Sequence, residues 1–233
     1  DLRIRHQLCE LNFAIRQAHF PLNVENLRLA RRRLAFEQML MYQAALGLLR
    51  GHKEDGTALP IPPDAPEKFW QTLPFPPTGA QKRVLEEIAA DLRCDRAMSR
   101  LVQGDVRSGK TVVASALCAL AAQNGWQAAF MAPTEILTEQ HEHTLRTLLE
   151  PFGIRVGRLT GAMTARQKRE VKQALAGGLL DVVVGTHALI TQDVAFQDLA
   201  LVVCDEQHRF GVAQRAALSS KGQTPHLLVM SAT

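Results

Sequence analysis

From Thr78 onward the chain alternates short, almost uninterrupted apolar runs with longer stretches of helical periodicity, and few folds accommodate that alternation. The runs at 101–103, 127–131, 154–159, 181–184, 201–204 and 227–230 have the length and composition of strands buried on both faces. Helical patterns at 79–92, 111–122, 135–149 and 165–176 separate most of them. Strands of this kind between helices imply a parallel sheet with helices on both faces, so one α/β domain is expected over 78–233.

The first strand of that pattern runs into Gly104-Asp105-Val106-Arg107-Ser108-Gly109-Lys110-Thr111, which fits the phosphate-loop spacing G-x-x-x-x-G-K-[ST]. Strand, loop and helix come in the order the chemistry requires. Backbone N–H groups of the loop and of the helix N-terminus can wrap phosphates, while Lys110 neutralises the β- and γ-oxygens. The Thr111 hydroxyl is a hard oxygen ligand suited to Mg²⁺. A glycine-rich turn with an incidental lysine is the plainer alternative.

A nucleotide site also needs an acidic partner at another strand end, and Asp205-Glu206 follows the run 201–204. Asp205 can hold Mg²⁺ through water, and Glu206 can orient and deprotonate an attacking water. The same two carboxylates could instead cap a helix. Their place at the end of a buried strand, where parallel sheets bind ligands, favours the nucleotide reading.

The segment before this domain differs in character. Residues 1–50 hold 8 Lys and Arg against 4 Asp and Glu, so the whole net charge of +4 resides there. A helix is expected over 24–50, with Leu27, Ala30, Leu34, Met41, Ala45 and Leu48 near one stripe. Arg28, Arg31 and Arg32 occupy another face, as a patch for a polyanion or as a merely solvated surface. Seven prolines between Pro60 and Pro77 argue against a regular element over 51–77 and suggest a connector or strap.

Other classes are excluded or disfavoured. No apolar run approaches the roughly twenty residues of a membrane span, and no charged-then-apolar leader opens the chain. Cys9, Cys94, Cys118 and Cys204 have no C-x-x-C spacing, and free thiols of this kind point to the cytoplasm. His141 and His143 lie two apart on a predicted helix, face different ways, and read as a solvated pair rather than metal ligands. The chain starts at Asp1 and stops at Ser231-Ala232-Thr233, which reads as a piece of a longer protein.

Several runs together carry a family resemblance. Leu101-Val102-Gln103-Gly104-Asp105-Val106, Asp205-Glu206-Gln207-His208-Arg209-Phe210-Gly211-Val212 and Met230-Ser231-Ala232-Thr233 are similar to the superfamily 2 helicases, and most similar to the branch that remodels branched DNA. The resemblance covers essentially the whole chain. It implies a RecA-like first motor lobe, the end of a wedge domain with its linking helix over 1–50, and Arg33-Leu34-Ala35-Phe36-Glu37 within that linker. It further implies that Phe75 stacks on adenine and Gln81 reads its edge, within Leu73-Pro74-Phe75 and Thr78-Gly79-Ala80-Gln81. Without it, Phe75 reads as a packing anchor. Pro133 and Thr134 of Ala132-Pro133-Thr134-Glu135-Ile136-Leu137, with Gly185, Thr186 and His187, would hold a DNA backbone; as bare sequence both are helix-capping turns. Gln207, His208, Ser231, Ala232 and Thr233 would couple hydrolysis to lobe movement.

ATP and Mg²⁺ are the implied cofactors, and forks or junctions the implied DNA partners of a monomeric, nucleoid-associated bacterial motor. The motor of transcription–repair coupling factors is the near alternative, but its acidic box usually reads D-E-E-Q, whereas Gln207-His208 stands here. Two departures matter. Arg107 stands where these helicases usually carry Gly, which leaves a nucleotide-silent DNA-binding module as an alternative. The second lobe and most of the wedge fold are absent from these residues, so little activity is expected of them alone.

Overall fold

The structure is a computed structural model that describes residues 2–50, 56, 58–106, 108–205, 221–222 and 224–232. The chain divides into two compact units, Asp1–Lys53 and Glu54–Thr233.

The first unit is helical, with α1 (Leu2–Arg5), α2 (Leu11–His19) and the long α3 (Val24–Arg50). Small side chains allow α2 and α3 to pack, with Ala14 and Ala30 wholly buried, and Leu8 and Gln17 also inside. Of the apolar stripe expected along α3, Ala30 is buried, Leu27 and Leu34 are half-buried, and Met41 and Ala45 are exposed. Met41 is 69% exposed, because α2 is nine residues long and the 27-residue α3 outruns it.

The second unit carries a sheet of six parallel strands, β1 (Ser99–Gln103), β2 (Gln127–Met131), β3 (Val156–Leu159), β4 (Val182–Gly185), β5 (Leu199–Cys204) and β6 (His226–Ser231), in the order β1-β6-β5-β2-β4-β3. Every residue of β2, β4 and β5 is buried, which explains why those runs show no polar alternation. One face is covered by α4 (Ala65–Gln71), α5 (Gly79–Leu92), α6 (Lys110–Gln123) and α7 (Glu135–Leu149). Phe69, Leu85, Leu117, Leu120 and Leu145 from these helices form one core with Phe130, Val184, Val203 and Met230 of the sheet. The helix α6 is apolar all round and buried without interruption from Val113 to Ala121, so it lies at the centre of that layer. On the opposite face α8 (Ala165–Ala176) inserts Leu175 among Met131, Val183, Val202 and Cys204.

The expectation of no regular element between the prolines is corrected over α4. Pro66 sits in its first turn, where a missing N–H leaves no bond unmade. The helix buries Phe69 and Trp70, and Phe69 stacks on Phe152 with ring centroids 5.7 Å apart. Capping boxes start α5, at Thr78 and Gln81, and α8, at Thr164 and Gln167.

Candidate active site

The phosphate loop leaves the end of β1 and enters α6. Gly109, the residue before the helix, adopts φ +83°, a left-handed conformation suited to glycine, and a Cβ there would lie 2.1 Å from Gln81 Nε2. At the start of α6 the Val112 and Val113 N–H groups both donate to Gly109 O, at 3.0 and 3.4 Å, and the positive end of the helix follows directly on the loop. Lys110 Nζ donates to the carbonyls of Gly104 at 2.6 Å and Asp105 at 2.8 Å. It is thus folded over the loop by acceptors that phosphate oxygens could replace. Asp105 Oδ1 accepts from the Val106 N–H, Ser108 N–H donates to Asp105 O, and Gly104 N–H donates to Ser231 O at 3.3 Å. Val106 itself is 70% exposed.

Gln81 is committed to this loop. Its Oε1 accepts from Thr78 N–H at 2.8 Å, and its Nε2 donates to Ser108 O at 3.1 Å. The N-terminal turn of α5 is therefore fastened to the loop. Phe75 is 44% exposed, so it is no core anchor, a part that Phe69 and Trp70 take instead.

Asp205 follows β5 and is largely enclosed, with its side chain 15% exposed. Its N–H donates to Met131 O at 2.9 Å, and its Oδ2 lies 2.8 Å from His141 Nε2. His141 is therefore not half of a solvated pair: it is buried on α7 while His143 is exposed. The signal was available in the sequence, because Thr138, His141, Leu145 and Leu149 share one helical stripe that faces the sheet.

Strand order arranges these groups. In parallel strands every C-terminal end points one way, so the segments after all six strands gather on one edge of the sheet. Neighbours β1, β6 and β5 bring the phosphate loop, Ser231 with Ala232, and Asp205 side by side. Neighbours β2 and β4 bring Pro133 and Thr134 beside Gly185, Thr186 and His187, and Ala132 N–H donates to Gly185 O at 2.9 Å. Thr134 caps α7 by accepting from Leu137 N–H, which leaves its hydroxyl hydrogen available to an external oxygen. Gly185 must be small, since a Cβ would sit 2.4 Å from Leu159 O. Thr186 is buried and His187 exposed.

In the first unit Arg28, Arg31 and Arg32 are all exposed. Arg28 lies 3.9 Å from Glu25, and Arg32 donates to His6 O at 3.1 Å. Arg107, Glu206, Gln207, His208 and Thr233 lie outside the described residues.

The chemistry of the donors suits a nucleotide with a hard cation. Among the described residues no group of three or more His, Cys, Asp or Glu side chains gathers to cage a metal. What stands here is a hydroxyl, Thr111, and a carboxylate, Asp205, the sparse oxygen set used when phosphate and water complete an octahedron. The cysteines stay out of it. Burial pushes the Cys118 thiol up to about 12, so it is an inert part of α6. Among the described residues no helix is long and apolar enough to cross a membrane.

Comparison with known proteins gives the family. The ATP-dependent DNA helicase RecG of Synechocystis sp. is 48% identical over 238 aligned residues, spanning 100% of this chain and 28% of that protein. The protein of the same name from Bacillus subtilis is 43% identical, again over 100% of this chain and over 34% of its own length. The chain thus spans about a third of these relatives. A solved structure of RecG bound to a three-way DNA junction superposes with a TM-score of 0.85 at 40% identity, covering 99% of this chain and 31% of that one. The pattern of the DEAD/DEAH box helicases matches residues 78–233, which include the phosphate loop and the Asp205 strand end, and such helicases use ATP. The chain belongs to the DEAD/DEAH box helicase family.

Proposed function

We propose that this chain is the first motor lobe, with the preceding linker helix, of an ATP-dependent DNA helicase that remodels branched DNA such as stalled forks and junctions. The observation that carries the reading is the superposition of 99% of the chain on a junction-bound RecG. On this reading residues 1–50 end a wedge domain and form its basic linker, 51–77 connect, and 78–233 are the motor lobe. A protein acting on bacterial forks and junctions works in the cytoplasm at the nucleoid, as a monomeric motor.

Bound Mg²⁺ would neutralise phosphate charge and order the triphosphate for in-line attack. The chain's own residues do the rest. Backbone N–H groups of the loop and of the start of α6 cradle the phosphates, those of Val106 and Ser108 after leaving Asp105, and Lys110 turns from the Gly104 and Asp105 carbonyls to the β- and γ-oxygens. Thr111 and Asp205 are the residues that would hold the metal. Glu206 orients the attacking water and takes its proton. Phe75 stacks on the base. Gln81 contributes through Ser108, and reading the adenine edge requires its amide to leave the loop. Ser231 adjoins Gly104 by a backbone bond, a direct path from the phosphates to the segment of Ala232 and Thr233 that, with Gln207 and His208, couples hydrolysis to movement. Pro133, Thr134, Gly185, Thr186 and His187 grip the DNA backbone, and Arg28, Arg31 and Arg32 add phosphate contacts.

The test is ATP-dependent unwinding of a synthetic fork by the intact protein. Lys110→Ala should abolish unwinding and nucleotide binding while leaving the melting temperature near wild type. Residues 1–233 alone should bind Mg-ATP yet hydrolyse it slowly, since an arginine supplied by a second lobe is worth about 10³–10⁵ in rate. Brisk DNA-stimulated turnover by those residues alone refutes the two-lobe reading, and fork binding indifferent to ATP favours a nucleotide-silent module.

A further inference from the structure

The hydrogen bond from His141 to Asp205 crosses the division between the two halves of the working edge. Asp205 directly follows β5, on the nucleotide side. His141 belongs to α7, which starts at Glu135 directly after Thr134, on the side proposed to grip DNA. His141 lies seven positions after Thr134, about 10 Å along a helix. The imidazole has little freedom: it is 9% exposed, and its ring lies 4.6 Å from that of Phe130 at 43°. An ionised carboxylate can only accept, so Nε2 carries the hydrogen and donates it to Oδ2. The Asp205 backbone is tied to β2 at Met131 O, while the other carboxylate oxygen, Oδ1, has no hydrogen-bond partner among the described residues. A carboxylate fastened through one oxygen presents the other in a set direction. Packing alone would not call for a polar ring at this place in the stripe of Thr138, Leu145 and Leu149.

We propose that His141 is a positioning residue. It holds the Asp205 carboxylate in the orientation that receives the Mg²⁺ of the nucleotide, and it fastens that carboxylate to the helix that Pro133 and Thr134 lead into. The proposal rests on the reading of Asp205 as a metal-holding residue. Groups that orient a metal-binding side chain typically change metal affinity by about 10–100-fold when removed.

The experiment measures binding rather than turnover. A fluorescent ATP analogue is titrated onto the intact protein at a series of Mg²⁺ concentrations and in EDTA, for wild type, His141→Phe, His141→Gln and Asp205→Asn. The Phe variant keeps the ring against Phe130 and removes the donor. The Gln variant returns an N–H near the place of Nε2. The expected result for the Phe variant is a half-saturating Mg²⁺ concentration raised about tenfold or more, with affinity in EDTA unchanged. The Gln variant should return to within about threefold of wild type. Asp205→Asn should raise the Mg²⁺ requirement at least as far as the Phe variant does. If Asp205→Asn raises it and His141→Phe does not, His141 is only a packed side chain and the proposal fails alone. A Gln variant as impaired as the Phe variant also overturns it, because the donor would then be irrelevant. If Asp205→Asn itself leaves the Mg²⁺ dependence untouched, the metal reading of Asp205 fails and takes the proposal with it.

Discussion

The two ends of the parallel strands use polar groups in opposite ways. At the N-terminal ends, polar side chains are engaged by permanent partners within the fold. Gln127 is 4% exposed and makes four bonds: its Nε2 donates to Leu175 O and Leu180 O, and its Oε1 accepts from Gln197 N–H and Asp198 N–H. Arg155 and Asp181, just before β3 and β4, pair through two nitrogens, and the guanidinium also reaches Gly178 O. His226 is wholly buried and accepts from Met98 N–H. At the C-terminal ends the partners are replaceable. Lys110 rests on two carbonyls of its own loop, and Asp205 has one oxygen engaged and one without a partner among the described residues. The lesson is that the same kind of residue stabilises the fold where its valences are filled from within, and serves binding where a ligand can fill them.

That contrast can be broken most sharply at the open end. In the intact protein, Glu206→Gln should keep ATP binding and lose hydrolysis by about 10²–10⁴-fold, since the amide cannot accept the proton of the attacking water. Hydrolysis close to wild type in a steady-state phosphate-release assay would remove Glu206 as the base. The mirror-image experiment lies at the closed end. Gln127→Leu leaves Leu180 O and Asp198 N–H without a protein partner among the described residues, and an unmet group costs about 1–3 kcal/mol. Gln197 N–H and Leu175 O keep the bond of 3.3 Å between them. A loss of about 3–5 kcal/mol in urea-unfolding stability is expected, partial relaxation offsetting the rest, with nucleotide affinity unchanged in the protein that remains folded. If ATP affinity collapsed in that folded protein, the two ends would not be separable.

A smaller effect tests the closed end through pH. Burial pushes the Asp181 carboxyl up, but hydrogen bonds from the Arg155 side chain and backbone, with its positive charge, outweigh this and leave the carboxyl below its ordinary value. A group depressed on folding stabilises the native state above its unfolded value and loses that contribution as pH falls through the folded one. The stability gap between wild type and Asp181→Asn should therefore be full above about pH 5 and shrink as the pH falls below about 4. A gap that widened in acid would contradict the assignment, with stability followed by urea titration at each pH.

The smallest effect belongs to the three exposed arginines of α3, Arg28, Arg31 and Arg32. Replacing Arg28, Arg31 and Arg32 by Gln should weaken duplex binding and lower the slope of log affinity against log salt by roughly 0.9 for each phosphate no longer neutralised. An unchanged slope in fluorescence-anisotropy titrations would place them on an inert surface.

Local pattern alone determined much of this protein. Helical periodicity marked α5, α7 and α8, because amphipathic stripes record which face is buried, and the unbroken apolar runs marked the fully covered strands. The phosphate loop was legible because its chemistry requires fixed spacing along one short segment. The helix among the prolines was not, since Pro66 falls where a helix tolerates it and only Phe69 and Trp70, by burial, reveal the reason for it. Tertiary structure alone decided the strand order, and with it the placing of Asp205 between the phosphate loop and the turn of Pro133 and Thr134. The same holds for the pairs His141 with Asp205, Gln127 with Leu180, and Arg155 with Asp181. Periodicity reports that a side chain turns inward, but a partner 26 to 64 residues away is set by how crossover helices stack strands, which no local pattern encodes.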